Sequence, residues 1–367
     1  MNLVRFKAAK ALLESMTYKK VPLYVQIQVT PLCNHSCEFC GVIHSFDKRT
    51  NLSIEDFRVM RDNLVAMDVG VVVLTGGEPL LRKDIYPIIK LFSDKSIEVR
   101  LQTNGSLLTR ETVERLNKVK LSGLTISLDS LHQRKMEKLT RTRDFRNTIE
   151  AISNAARYGN FNVVALNTVI NKSNLHEIED IVRFGTEMNV FTSLIPIHNE
   201  NKIFSNIKVQ DESNFFSTDK DFAELKVVLD RLRKMKSDGY LIINSRKHLA
   251  GIYDFMRYKR YDWRCDSPGL YFSVRPDGTF APCTEYSTRY RFNDRHFIEI
   301  YKSKRFRADM AKIVNACNGC FYPCWCEVSF LVRNPFIVAE RFFQLVKHRK
   351  NRNINYQAIV DKYVKFD

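Results

Sequence analysis

Three cysteines, Cys33, Cys37 and Cys40, fall within eight positions of the stretch "TPLCNHSCEFCGV", and six more follow at Cys265, Cys283, Cys317, Cys320, Cys324 and Cys326. Thiols grouped in this way suit a reducing compartment in which they bind metal rather than pair as disulfides. A closed metal site or a disulfide framework wants an even number of sulfurs, whereas three ligands leave one coordination position to be filled by something else. The CxxxCxxC spacing suits an inorganic iron-sulfur cluster. A zinc ion completed by His35 or His44 is the other chemistry open to it. A second grouping stands at "LTGGEP", residues 74–79. There Gly76 and Gly77 permit close backbone approach of a ligand, Glu78 offers a carboxylate to an ammonium group, and Pro79 stiffens the turn.

These residues need a frame. From residue 21 to 197 short β-branched runs alternate with longer amphipathic segments, the pattern of a parallel sheet wrapped by helices. Six runs read as strands: "VPLYVQIQV" from 21, "VVVLTG" from 71, "IEVRLQT" from 97, "GLTISLD" from 123, "FNVVALNTVI" from 161 and "NVFTSLIPI" from 189. The segment after Ser53 is a helix that this serine caps, with Ile54, Phe57, Leu64 and Met67 on one face. Six β/α units make an α/β fold, a partial (β/α)6 barrel of TIM-like type, whose site belongs at the C-terminal strand ends. Both cysteine loop and GGEP turn lie at such ends.

Beyond residue 198 the alternation stops in a polar, Asn-rich stretch that reads as a linker or lid. A helix is expected over about 221–237, then a small cysteine-rich module that opens with the hairpin "LYFSVRPDGTFAPC", turning at Pro276, Asp277 and Gly278. The division expected is an N-terminal helix over 1–20, the barrel over 21–200, linker and helix over 201–240, the cysteine module over 241–330 and a basic helical tail over 331–367. In the tail, Phe336, Phe342, Phe343 and Val346 form an apolar stripe expected to pack on the protein itself rather than on a membrane surface.

With 367 residues the chain has room for a large domain and a smaller one. No run approaches the roughly 18 apolar residues of a membrane span, and the N-terminus lacks signal-peptide order, so a cytoplasmic protein is expected. The net charge of +17 would suit an anionic partner. Without a nucleic-acid motif or a basic stripe interleaved with aromatics, it reads as a solvated basic surface.

Taken together, "CNHSCEFC", "GGEP" and the later strand ends resemble the radical S-adenosylmethionine (SAM) superfamily over roughly the first 200 residues. The resemblance implies a [4Fe-4S] cluster held by Cys33, Cys37 and Cys40, with the fourth iron chelated by the amino and carboxylate groups of SAM. It implies further that Phe39 lies by the adenine and that Gly76, Gly77, Glu78 and Pro79 clamp the methionine amino group. Asn104 would stand near the cofactor, Ser127 and Asp129 on the ribose side, and Arg141 or Arg143 would meet the SAM carboxylate. Read on their own, Asn104 is also a turn former and Asp129 a helix cap. The later cysteines resemble the twitch and SPASM modules that follow many such barrels, with Cys265, Cys283, Cys317 and Cys320 as the leading ligands of one auxiliary iron-sulfur cluster. Cys324 and Cys326 are further candidate ligands, for a second, three-ligand cluster, and a zinc knuckle is the alternative use of the quartet.

The function implied is reductive cleavage of SAM to a 5′-deoxyadenosyl radical that takes hydrogen from a peptide or small biosynthetic intermediate. The auxiliary cluster would then assist oxidation or bond formation, and flavodoxin or ferredoxin would supply electrons. Only 32 residues precede Cys33, which weakens a fused peptide-recognition module. A dehydrogenase or epimerase of a sugar, nucleotide or lipid-linked intermediate is the alternative, and the basic surface would suit a phosphorylated substrate. A zinc-stabilised nucleic-acid-binding protein is the remote one.

Overall fold

A computed structural model of the chain describes residues 12–16, 21–37, 40–41, 46–198, 212–348 and 354–366. Phe39, His44, most of the expected N-terminal helix and residues 199–211 of the expected linker lie outside the described residues. Strands β1 (Tyr24–Thr30), β2 (Val71–Gly76), β3 (Glu98–Thr103), β4 (Gly123–Ser127), β5 (Val163–Ile170) and β6 (Phe191–Pro196) coincide with the six runs. Each pairs in parallel with the next. Between them lie α1 (Ile54–Ala66), α2 (Ile85–Ser93), α3 (Arg110–Lys118), α4 (Gln133–Thr140), α5 (Phe145–Tyr158) and α6 (Ile178–Glu187). Helix α1 starts as expected. Ser53 Oγ accepts from Asp56 N at 3.2 Å and Asp56 Oδ2 accepts from Ser53 N at 2.8 Å, a reciprocal pair of caps.

The hairpin of the cysteine module does not stand apart from the barrel. Its strands β7 (Tyr271–Val274) and β8 (Phe280–Ala281) extend the sheet, giving the order β6-β5-β4-β3-β2-β1-β7-β8. Strand β7 runs parallel to β1 with Tyr24 opposite Tyr271 and Gln26 opposite Ser273. This covers an edge of β1 that would otherwise present unpaired backbone groups.

Alternation fixes which side chains face inward. Val25, Ile27 and Val29 of β1 and Phe272 and Val274 of β7 join the large core beneath the helices. Tyr24, Gln26, Gln28, Tyr271 and Ser273 therefore point to the barrel's inner side. A second core joins α6 to α7 (Asp219–Ser237), α8 (Arg246–Tyr258) and, following α9 (Phe297–Lys302) and α10 (Lys304–Asn315), α11 (Pro323–Arg333). Helix α11 begins at Pro323, which suits the first helical position because its missing N–H would be unpaired there anyway. The run "CFYPCWC" is thus partly helical.

The chain ends in α12 (Pro335–Lys347) and α13 (Tyr356–Tyr363). Helix α12 corrects an expectation: Phe336, Phe342 and Phe343 are 82%, 61% and 60% exposed, facing solvent rather than the protein. The side chain of Val346 lies outside the described residues. The inward face holds Ile337, buried in the second core, and beside it a set of polar groups. Glu340 Oε1 lies 3.0 Å from the Nζ of buried Lys236, Arg341 lies 3.5 Å from Glu327, and Gln344 Nε2 donates to Ile242 O at 2.8 Å. The physical reason is Lys236: a buried ammonium demands a partner, and Glu340 supplies it at the cost of leaving the phenylalanines outside.

Candidate functional site

The loop after β1 carries Cys33, Cys37 and Cys40 and is held from two sides. Ser36 N donates to Thr140 O at the end of α4 at 3.0 Å, and Cys40 N donates to Cys37 O at 3.1 Å. Cys33 Sγ accepts from His35 N at 3.3 Å and from Asn104 Nδ2 at 3.9 Å. Burial pushes the Cys33 thiol up to about 11 and raises that of Cys37. Thiols so shielded ionise only beside a metal cation, which is the chemistry a cluster ligand needs. His35, named as an alternative zinc ligand, is buried with Nε2 3.4 Å from Asp144 Oδ2, outside the thiol group.

The GGEP turn packs directly on the cysteine loop. Gly77 N donates to Thr30 O and Glu78 N to Leu32 O, both at 2.7 Å, so the turn is stitched to the cysteine loop. The space beside its glycines is filled by protein. A Cβ on Gly77 would stand 2.0 Å from Leu32 O, and one on Gly76, whose φ is +137°, would stand 2.4 Å from Thr30 O. Gly77→Ala is therefore expected to cost about 3 kcal/mol and to lower the iron retained by the cysteine loop, read from the thermal midpoint and the iron content of purified protein.

The Glu78 carboxylate turns inward rather than toward a ligand. It is fully buried, Oε1 accepting from Leu80 N at 2.9 Å and Thr103 Oγ1 at 2.8 Å, and Oε2 from Asn104 N at 2.7 Å. Its role is to join the ends of β2 and β3. Burial outweighs these donors and pushes the carboxyl up from 4.5 to about 7. A carboxyl raised on folding contributes stability that is full below about 4.5 and lost as pH rises through about 7. Glu78→Gln removes that titration, so the gap in melting temperature between wild type and variant is expected to narrow from about pH 5 to about pH 8.

Other strand ends gather on the same side. Asn104 does two things: its Oδ1 accepts from Ser106 N at 3.0 Å, as a turn former does, and its Nδ2 reaches Cys33 and, at 2.9 Å, Asn34 Oδ1. Ser127 ends β4, level with Asn167 of β5. Asp129 is buried and caps no helix. Its Oδ1 accepts from Val169 N at 2.7 Å, and burial pushes its carboxyl up to about 7. Arg141 closes α4 in a left-handed conformation with φ 53°, and it and Arg143 are both exposed. The structure does not choose between them.

At the other end of the strands lies the second cysteine set. Cys265, Cys283, Cys317 and Cys320 line one cavity of about 790 Å³ together with Tyr261, Trp263 and Trp325. Each of three sulfurs accepts a hydrogen bond: Cys265 from Tyr271 Oη at 3.3 Å, Cys283 from Glu285 N at 3.4 Å and Cys317 from Gly319 N at 3.3 Å. Donors aimed at sulfur are a recognised means of tuning an iron-sulfur cluster, and burial pushes Cys283 up to about 12. Four thiols around a space of this size fit a cluster. Cys324, on α11, is half-buried near Cys283 and Cys320, the thiols whose charge acts on it or feels it. Cys326 is fully buried and borders the second core with residues such as Leu249, Ile252 and Phe330, and its thiol too feels Cys320 and Cys324.

Sequence reasoning missed the polar groups between the two sets. Gln26, Gln28 and Ser273 are buried, and Gln26 Oε1, Gln28 Oε1 and Ser273 Oγ have no hydrogen-bond partner. Arg275 is buried over the Phe46 ring, its Nη2 donating to Thr284 O at 2.7 Å, and Glu285 Oε1 accepts from Tyr322 Oη at 2.8 Å. The signal was present in "VQIQV", where glutamine takes every second place of a buried strand.

Comparison with known proteins bears on this arrangement. Residues 27–185 match the Radical SAM superfamily model. The GTP 3′,8-cyclase of Marinobacter nauticus is 34% identical over 176 residues, 47% of this chain and 53% of that protein. That of Peptoclostridium acidaminophilum is 32% identical over 191 residues, 50% and 58% respectively. The chain thus spans about half the length of these curated relatives. Among solved structures, Streptococcus suis SuiB bound to precursor peptide SuiA superposes with a TM-score of 0.64 at 18% identity, covering 83% of this chain and 69% of SuiB. The structure of anSMEcpe with bound AdoMet and Cp18Cys peptide gives 0.59 at 14% identity, covering 93% and 99%. At these identities the likeness is one of fold. Motif, barrel and family match agree that residues 27–185 form a radical SAM domain.

Proposed function

We propose that this radical SAM enzyme oxidises a side chain of a peptide held in the barrel between two iron-sulfur centres. Cys33, Cys37 and Cys40 would hold the SAM-binding cluster, with Asn104, Ser127, Asp129 and the backbone of Gly76 to Pro79 around SAM. Cys265, Cys283, Cys317 and Cys320 would hold one auxiliary cluster. When bound, these groups supply a 5′-deoxyadenosyl radical for hydrogen abstraction and an acceptor for the electron left behind.

The observation that carries this reading is the placement of the two cysteine sets. The first follows the C-terminal end of β1, whereas Cys265 and Cys283 flank the β7–β8 hairpin near Leu23 and Leu270, at the opposite end. Seven residues of strand separate the two by about 20 Å. The lumen between them is where Gln26, Gln28 and Ser273 present unmet amide and hydroxyl groups, partners suited to the polar backbone of a peptide. The chain's own task is to orient one C–H bond there and to exclude water. An external one-electron donor such as flavodoxin or ferredoxin completes the cycle.

The relatives named GTP 3′,8-cyclase support a second reading, a nucleotide substrate, but their identity lies within about half of the chain. Reconstituted, reduced protein given SAM and a panel of side-chain-deuterated peptides, with GTP alongside, separates the two. Deuterium in 5′-deoxyadenosine and, with the unlabelled peptide, a product lighter by about 2 Da through loss of two hydrogens support the proposal. Turnover of GTP with no peptide product overturns it.

A further inference from the structure

We propose that the outward face of α12 docks this protein on the surface of an anionic lipid bilayer. Apart from Ile337, which is buried in the second core, the helix turns its polar groups inward and its large rings outward. Glu340, Arg341 and Gln344 tie it to the protein, while Pro335, Phe336, Ala339, Phe342 and Phe343 share the opposite face and are exposed. Leu345 at the margin is 40% exposed, and the rings of Phe342 and Phe343 meet edge to face with centroids 5.9 Å apart. A surface helix of a monomer buries its apolar stripe, and large aromatic residues gathered outward mark a contact surface.

Charge selects the occupant. The sole acid of the helix, Glu340, is turned inward, so no carboxylate stands on the apolar face. In sequence the helix ends in "KHRKNR", residues 347–352, with four lysines and arginines in six positions. On neighbouring elements Arg246 is basic as well, while Lys247 and Arg333 are paired with Asp262 and Asp266. Phenylalanines bordered by cations are the composition of a helix that lies in a headgroup layer, its rings below the phosphates and its cations among them. A second copy would bring another +17 charge against the first, which opposes self-association through this face. No helix among the described residues is long and apolar enough to cross a membrane, so the contact proposed is peripheral.

The test uses the full chain with its clusters reconstituted and vesicles either of phosphatidylcholine alone or with about 30% phosphatidylglycerol. Wild type is expected to float with the anionic vesicles and at least about tenfold less with the neutral ones. The variant Phe336→Ser/Phe342→Ser/Phe343→Ser is expected to lose at least about tenfold of that binding while keeping wild-type cluster absorbance and melting temperature, since none of the three rings is buried. Wild type that stays in solution overturns the proposal. So does a variant that floats as well as wild type, because charge alone would then suffice. A vesicle-free dimer of wild type that the variant abolishes also overturns it, by giving the face to a second copy.

Discussion

Cys33→Ala is expected to abolish cleavage of SAM, a loss of at least about a thousandfold, while the auxiliary iron remains. The thiol is one of three in a loop that has no spare cysteine, and it receives the donors from His35 and Asn104. Removing it leaves two ligands, too few to retain a cluster against solvent. The quartet at the far end of β1 shares no residue with this loop, so the iron content should fall by about four atoms and no further. 5′-Deoxyadenosine measured after anaerobic reduction, together with iron and sulfide assays, reads both effects. Cleavage that survives in Cys33→Ala would show that the loop does not bind the reacting cluster.

The second large effect is an uncoupling. Cys265→Ala is expected to leave SAM cleavage within a few-fold of wild type and to reduce modified product by about a hundredfold. Cys265 lines the cavity with Cys283, Cys317 and Cys320 and is the sulfur that Tyr271 reaches. Because Tyr271 lies opposite Tyr24 on the inner side of the wall, the change also touches the lumen. Tyr271→Phe is the control: it removes the hydrogen bond but keeps the thiol, and should shift the auxiliary cluster's reduction potential without loss of its iron. Equal losses of cleavage and product in Cys265→Ala would instead assign the quartet to structure alone.

Much of this molecule could be read from its sequence because the relevant physics is local. Six strands declared themselves through alternation and β-branching, and the cysteine loop and GGEP turn through spacing. What could not be read were choices between faces. Periodicity says that Phe336, Phe342 and Phe343 share a side of α12, but not which side turns inward, and buried Lys236 decided that from far along the chain. Likewise Cys324 and Cys326, two residues apart on one helix, differ in depth, the first half-buried and the second fully buried against a core, although both stand near Cys320. The inward turn of the Glu78 carboxylate was equally hidden, since its three partners are Leu80, Thr103 and Asn104, two of them beyond an intervening helix. The continuation of the barrel sheet into the hairpin is a pairing across more than two hundred residues, which no local pattern encodes.

That continuation bears on electron flow. The ladder between β1 and β7 leaves no hinge between the two cysteine sets, so in the proposed enzyme the gap an electron would tunnel across is set by strand rise, not by how two bodies happen to dock. Tunnelling slows exponentially with separation, and a ruler made of peptide units holds that rate steady through thermal motion. Deleting one residue from the middle of β1 would alter the gap by about 3.3 Å and also turn its glutamines out of the lumen, so catalytic timing and substrate contacts are written into the same seven residues.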